Sequence, residues 1–333
     1  VPALLRLGDP ARTFQSERFQ RRQKPDRLRP FLRRLLWRQL QHLRTLAMKN
    51  LNGKLALITG GSSGIGLALA SKLFASGMSV AILARGQQRL DEALAIIEKS
   101  RLNPAQKLTA ISANVADAAG IAQVLREFVA GYGLPDLVIN CAGVAKSGYA
   151  EATPLEDFRW MMDIDYHGTV NVVQTLLPEF IARGSGHIVT ISSLAGVVGV
   201  FGYTAYGGAK FAVRGYTDAL RAEMKSRGIQ VSCVFPPDTD TPQLSYENQF
   251  KPYETHVIAG SDKPLSAEKV ADSIVRGIQK DKYAIVPGLE AKVLFFLVTH
   301  LGGLVYPVLD LLVKSASKKK AALQVAQTEK RGR

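Results

Sequence analysis

From Leu55 to about residue 286, short apolar runs alternate with helix-length segments, and this rhythm leaves the chain few folds. LALIT at 55–59 is followed by glycines and a helical stretch to about residue 75. Further strands are predicted at 79–83, 107–113, 136–140, 187–192 and 229–235, with helices at 87–100, 118–130, 155–183 and 204–227 between them. Strands that are apolar along their length belong to a sheet covered on both faces, and a helix between successive strands brings the chain back to run parallel. A helix at 266–280 and an edge strand near 283–286 complete the series. The expected fold is therefore α/β: a doubly wound, mostly parallel sheet of seven strands with helices on both faces.

Charge and composition divide the 333 residues into three parts. The whole chain carries 43 Lys+Arg against 28 Asp+Glu, a net of +15 that could signal nucleic acid or an anionic membrane. Residues 1–49 hold 13 of the basic side chains and three acids, residues 314–333 hold seven and one, and everything between is near neutral. No basic surface spans the body, so no nucleic-acid partner is expected. Residues 1–50 form an Arg-rich extension with four prolines, expected to be disordered apart from a basic amphipathic helix over 31–48. It has no signal-peptide apolar core and few of the hydroxyl residues of a transit peptide. An equally weighted reading takes Met48, opening MKNLNGK, as the native start. Residues 51–290 form the folded domain and 291–333 an apolar tail with a basic end. Two cysteines, Cys141 and Cys233, are too few for a disulfide framework or a CxxC metal site and are expected to be buried thiols.

The first strand runs into Thr59-Gly60-Gly61-Ser62-Ser63-Gly64-Ile65-Gly66, which opens a helix. Glycines between strand and helix permit a tight turn, close backbone approach to a pyrophosphate, and packing of the helix on the sheet; the helix N-terminus favours the anion. Gly60, Ser62, Ser63, Gly64, Ile65 and Gly66 are therefore candidate dinucleotide contacts in a Rossmann-type fold. The second strand ends in Ala84-Arg85, where an NAD site usually carries an acid for the ribose 2′-hydroxyl. Arg85, with Arg89 one turn on, suits a 2′-phosphate instead, so NADPH is the expected cofactor over NADH.

Tyr206 and Lys210 stand four residues apart on one predicted helix and so share a face. Ser193 lies 13 residues before the tyrosine, and Asn140-Cys141-Ala142-Gly143 ends the fourth strand. With the Gly-rich turn, this arrangement over residues 52–288 resembles the short-chain dehydrogenase/reductase superfamily. The resemblance implies ketone reduction in which Tyr206 gives the carbonyl oxygen its proton, Lys210 lowers the phenol and bonds the nicotinamide ribose, and Ser193 holds the oxygen. Ser192 is the second choice, since strand alternation points only one of the pair at the site. Asn140, Ala142, Gly143, Asn114, Val115, Thr239 and Thr241 fall at cofactor-contact positions of the family pattern. Asn114 stands where an acid usually lies beside the adenine, Asp165 where the proton-relay asparagine is expected, and Pro236-Pro237 where Pro-Gly is usual. A homo-dimer or tetramer is implied through the two long helices, and no metal.

FPPDTDTP at 235–242, Glu247-Asn248, Lys251-Pro252-Tyr253-Glu254-Thr255, Ser266-Ala267-Glu268-Lys269-Val270-Ala271 and the stretch VFGYTAYGGAKFAVRGY resemble the 3-ketosphinganine reductase branch of that superfamily. This implies NADPH-dependent reduction of a long-chain 2-amino-3-ketone in sphingolipid synthesis. A steroid, retinoid or fatty ketone is the alternative substrate, and a catalytically silent NADP-binding sensor a further one. Residues alone give a ketone reductase with an adaptable lid over 238–265.

Val293–Val313 is 21 residues, about 31 Å as a helix, enough to span a bilayer core. Against a span stand His300, Gly302-Gly303, Pro307 and Asp310, an acid near the centre costing about 2.5 to 3.5 kcal/mol. Three readings stay open: an interfacial or re-entrant hairpin, a true span, or a helix that contacts another copy. Lys314 and Lys318-Lys319-Lys320 follow, where anionic headgroups or a cytoplasmic flank would meet them. Together 291–320 predict attachment to a membrane surface with the enzyme body on the cytoplasmic side, at the endoplasmic reticulum of a eukaryote or the inner membrane of a bacterium.

Overall fold

Seven strands form one parallel sheet in the order β3-β2-β1-β4-β5-β6-β9. The structure, a computed structural model, describes residues 48–259 and 263–331, so the expectations for residues 1–47 lie outside the described residues. Along the chain come β1 (Leu55–Thr59), α1 (Gly64–Ala75), β2 (Ser79–Ala84), α2 (Gln87–Glu98), β3 (Leu108–Ser112), α3 (Ala118–Tyr132) and β4 (Leu137–Asn140). Then follow α4 (Leu155–Met161), a π-helical turn (Met162–His167), α5 (Gly168–Arg183), β5 (Gly186–Ile191), α6 (Thr204–Met224) and β6 (Ile229–Val234). Every ladder of the large sheet is parallel, including the edge pair Cys233↔Ala284, so the expected "mostly parallel" sheet is wholly parallel.

The apolar strands read as predicted because both faces are covered, and their residues alternate between two cores. Ala56, Ile58, Val80, Ile82 and Ile139 face one side with Leu69, Leu73 and Phe74 of α1. Leu57, Ala81, Leu83 and Val138 face the other with Leu125 of α3, Phe180 of α5 and Met224 of α6. Leu51, at the predicted domain boundary, packs into the first core, and so does Met48, three residues ahead of it.

Two departures shape the site. The helix predicted as continuous over 155–183 is interrupted by the π turn, whose extra residue per turn rotates Ile164 and Asp165 inward. The expected lid over 238–265 is a small structured unit: β7 (Thr239–Asp240) pairs in parallel with β8 (Leu265–Ser266), and α7 (Pro242–Glu247) and α8 (Tyr253–Ala259) lie between them. After α9 (Ala267–Gln279) and β9 (Ala284–Ile285), the chain enters the tail as α10 (Leu289–Leu301), a 3₁₀ turn (Gly302–Val305) and α11 (Tyr306–Arg331).

The tail breaks at the predicted glycine pair, Gly302 taking φ 54°, and Pro307 sits in the first turn of α11, where a missing N–H costs nothing. Part of it packs on the body: Phe295 meets Phe235 in a tilted ring contact with centroids 5.0 Å apart, and Ala291 and Ala316 are buried. Lys320, expected to face headgroups with its neighbours, instead turns inward and donates to Tyr149 Oη at 2.5 Å, with Glu254 Oε1 3.4 Å away. The outer face carries Phe296, Leu301, Leu304, Val308 and Leu311, all exposed. Over 289–324 the most apolar stretch has a mean hydropathy of 1.7 with none of it buried, long and apolar enough to cross a membrane by length and composition.

Candidate active site

A cleft of about 1370 Å³ opens at the carboxyl ends of the strands, beside the point where the sheet order reverses between β1 and β4. Such a crevice is where doubly wound sheets hold their ligands. At one end the Gly-rich turn forms a cradle: Gly60, Ser62, Ser63, Gly64, Ile65 and Gly66 all line it. Ser63 caps α1 with extended backbone, and its side chain makes no capping bond, so the first-turn amides have no side-chain acceptor. A Cβ on Gly66 would stand 2.2 Å from Gly60 O, which fixes glycine there if helix and turn are to meet. An anion-ready helix end at the bottom of a cleft fits a pyrophosphate. Thr59 Oγ1 accepts from Cys141 N and Ala142 N at 3.1 and 3.0 Å, pinning the wall that Ala142 and Gly143 present. Sequence reasoning had not singled out that threonine.

Arg85 and Arg89 are exposed on the rim beyond β2 and both line the cleft. Among the described residues neither guanidinium pairs with a carboxylate. Asn114 and Val115 line the same end, with Asn114 Oδ1 accepting from Ala116 N at 3.2 Å. Thr239 and Thr241 also reach the cleft, but the Thr241 hydroxyl is committed to local structure. It caps α7 by accepting from Leu244 N at 3.2 Å, and it donates to Thr239 O at 3.2 Å. Asn140, expected at the cofactor, lies instead inside the sheet. It is 2% exposed, absent from the cleft walls, and its amide donates to Val189 O at 3.3 Å.

At the centre stand Tyr206, Lys210 and Ser193. The i, i+4 spacing on α6 brings the lysine beneath the tyrosine, Nζ lying 5.5 Å from the ring centroid. The Ser193 hydroxyl lies close enough to the phenol to act on it and accepts from Ala195 N at 3.1 Å, whereas Ser192 points away and donates to Lys210 O at 2.9 Å. The strand alternation thus leaves Ser193 as the serine beside Tyr206. Lys210 Nζ also donates to Ile191 O at 3.2 Å.

The π turn places Asp165 behind this group rather than in the cleft, 1% exposed, with Oδ1 accepting from Val144 N at 2.7 Å and Oδ2 3.6 Å from Lys210 Nζ. Gly143 closes over both; a Cβ there would come within 2.8 Å of Asp165 Oδ1. Burial pushes the Asp165 carboxyl up to about 6, opposed by Lys210 and the Val144 amide.

The expected lowering of the phenol combines Lys210 with nicotinamide charge, and in the chain alone it meets an opposing environment. Burial, then the charges of Asp165 and Glu247, push Tyr206 well above its ordinary value, and the Ser193 hydroxyl acts the other way. The lysine's charge is shared with Asp165, so the chain by itself holds Tyr206 as O–H, the form a proton donor requires. Cys141 lines the cleft and Cys233 is buried; both thiols are free and pushed up to about 12 by burial, as expected of unreactive cysteines.

The same cleft has an apolar lining made by Trp160, Ile164, Val198, Leu244 and Ile258 of the body and by Leu294, Leu309, Leu312 and Val313 of the tail. Tyr203 and Glu247 also line it. Tyr203 was not picked out from the sequence, since an isolated tyrosine before a helix carries no pattern.

Comparison with known proteins agrees with this geometry. The family model described as short chain dehydrogenase matches residues 54–252. A zebrafish (Danio rerio) protein named 3-dehydrosphinganine reductase is 38% identical over 227 residues, 68% of each chain. A Dictyostelium discoideum 3-ketodihydrosphingosine reductase is 34% identical over 277 residues, 79% of this chain and 83% of that one. SadH of Mycobacterium tuberculosis, an oxidoreductase by name alone, is 38% identical over 77% of this chain and 93% of its own. Among solved structures, apo LigD from Sphingobium sp. strain SYK-6 superposes with a TM-score of 0.63 at 27% identity, covering 76% of this chain and 97% of that one. With more than half its length matched, and with relatives well above 30% identity, this chain belongs to the short-chain dehydrogenase family and is an oxidoreductase of the kind that works with a nicotinamide dinucleotide.

Proposed function

We propose that the protein reduces 3-ketosphinganine to sphinganine with NADPH. The observation that carries this reading is that one cleft is lined both by Tyr206 and by Leu294, Leu309, Leu312 and Val313 of a tail whose most apolar stretch is unburied. A long alkyl chain fits such a lining, and a lipid substrate accounts for a membrane-seeking tail next to the site. The names of the zebrafish and Dictyostelium relatives support the same substrate.

The Gly60–Gly66 turn would hold the pyrophosphate, Arg85 and Arg89 a 2′-phosphate, and Lys210 the nicotinamide ribose. Bound there, the dinucleotide supplies the hydride that reduces the carbonyl carbon. Ser193 orients the ketone oxygen beside Tyr206, and the Tyr206 hydroxyl gives that oxygen its proton, leaving a phenolate that Lys210 stabilises. Asp165 positions Lys210 from behind while weakening its charge.

The tail is proposed to lie in the interface with its Phe296–Leu311 face in the acyl region. Incubating the protein with NADPH and either 3-ketosphinganine or steroid, retinoid and simple fatty ketones tests the reading; turnover confined to the latter would overturn it.

The cofactor assignment predicts that Arg85→Ala raises KM for NADPH about 30-fold while NADH changes little, the effect of one charge-assisted bond to phosphate. Steady-state kinetics with both dinucleotides measures it. An unchanged ratio would remove Arg85 from the 2′-phosphate.

A further inference from the structure

Among the described residues the catalytic steps leave three charged groups in the cleft without a role, Asp238, Glu247 and Glu290, and of these Glu247 is the buried one. Glu247, the last residue of α7, is 5% exposed and lines the cleft that holds Tyr206. Tyr203 donates its hydroxyl hydrogen to Glu247 Oε1. Lys251 Nζ lies 3.5 Å from the same oxygen and 2.9 Å from Asp238 Oδ2, with its own side chain 4% exposed. Two carboxylates thus share one ammonium, and the cluster turns a formal charge of −1 toward the cleft. Lys210, by contrast, is balanced by Asp165 behind it, 3.6 Å away.

Glu247 is buried and shares its one cation with Asp238, which is half-exposed, and a buried carboxylate that shares its counter-ion favours a further cation. Burial pushes Glu247 above the usual carboxylate range against the pull of Tyr203 and Lys251, so a further cation would be welcome there. The position is close to the chemistry, for the Tyr203 and Tyr206 ring centroids are 5.7 Å apart. In a 2-amino-3-ketone only three bonds separate the nitrogen from the carbonyl oxygen, so a ketone poised on Tyr206 carries its ammonium toward Tyr203 and Glu247.

We propose that Glu247, held by Tyr203 and backed by Asp238 and Lys251, is the subsite for the substrate's primary ammonium group, so that the enzyme selects 2-amino ketones over uncharged ketones of equal chain length. This rests on the reading of the cleft as a long-chain ketone reductase and adds to it the group that reads the head of the substrate. Asp238 is carried on the loop after β6 and Glu247 on the lid helix, so the subsite is complete only when the lid lies as it does here.

The test compares kcat/KM for 3-ketosphinganine with that for its analogue bearing hydrogen in place of the amine, in detergent with NADPH, for the wild type, Glu247→Gln and Tyr203→Phe. The wild type is expected to favour the amine about 30-fold, the size of one charge-assisted hydrogen bond, and Glu247→Gln to bring the ratio within about threefold. Tyr203→Phe, which frees the carboxylate from its donor, keeps most of the preference. A packing defect would lower both rates together and leave the ratio in place. A wild-type ratio near one, or a ratio that survives in Glu247→Gln, overturns the subsite while the ketone-reductase reading stands. Turnover of neither compound by the wild type overturns that reading and the subsite with it.

Discussion

Tyr206→Phe is expected to lower kcat for ketone reduction by about 10³-fold while NADPH binding stays within about twofold. Among the described residues the phenol combines the influence of Ser193, proximity to Lys210 and a place in the wall of the cleft. Removing its oxygen leaves hydride transfer with no placed proton donor, and general acid catalysis of this kind is worth about 10² to 10⁴. Phenylalanine keeps the ring that packs against Tyr203, and the pyrophosphate cradle lies on other elements, so binding should survive. Single-turnover absorbance at 340 nm together with fluorescence titration of NADPH separates the two effects. Retained turnover would mean that Tyr206 is not the acid.

The second large effect is expected in the tail. Replacing Phe296, Leu304 and Leu311 together by aspartate should move the protein from a membrane pellet to the supernatant, a loss of partition of at least about 100-fold. All three side chains are exposed, on a stretch with no burial in the chain itself. Placing an acid in the bilayer core costs about 2.5 to 3.5 kcal/mol each, less at the interface, so even a shallow helix would lose several kcal/mol. Because Phe295, Ala291 and Ala316 make the contacts with the body, these outward changes should spare the fold and turnover in detergent. Co-sedimentation with anionic vesicles measures the partition. If sedimentation is unchanged but the size of the particle in solution halves, the face joins two copies of the chain.

The alternation of apolar strands and helices was enough to place the sheet, because a core on both faces demands continuous hydrophobicity at each strand. The Gly-rich turn and the Tyr206–Lys210 pair were legible for a related reason: their spacing is set by local geometry, a turn in one case and one helical rise in the other. Ser193 is preferred over Ser192 already from its place 13 residues before Tyr206, and the strand's phase turns Ser192 onto Lys210 O. Asn140 misled because a position at a strand end does not reveal whether its side chain turns to the cleft or into the sheet.

The π turn left no sequence signal, although it is what sets Asp165 behind Lys210; one extra residue per turn cannot be told from an ordinary helix by hydrophobic period. Nor could residue spacing show that Tyr203, Glu247 and Lys251 converge, since they come from a helix start and a lid more than forty residues apart. The same holds for Lys320, which the charge pattern gave to the membrane and the fold gives to Tyr149 and Glu254.

The most direct measurement is product identification. Purified protein in mixed micelles, given NADPH and 3-ketosphinganine, should consume the two in equal amounts and yield sphinganine by mass spectrometry, with NADH at least about 30-fold less effective. Binding of NADPH without formation of sphinganine, or reduction only of ketones that lack the long chain and the amine, would contradict the assignment.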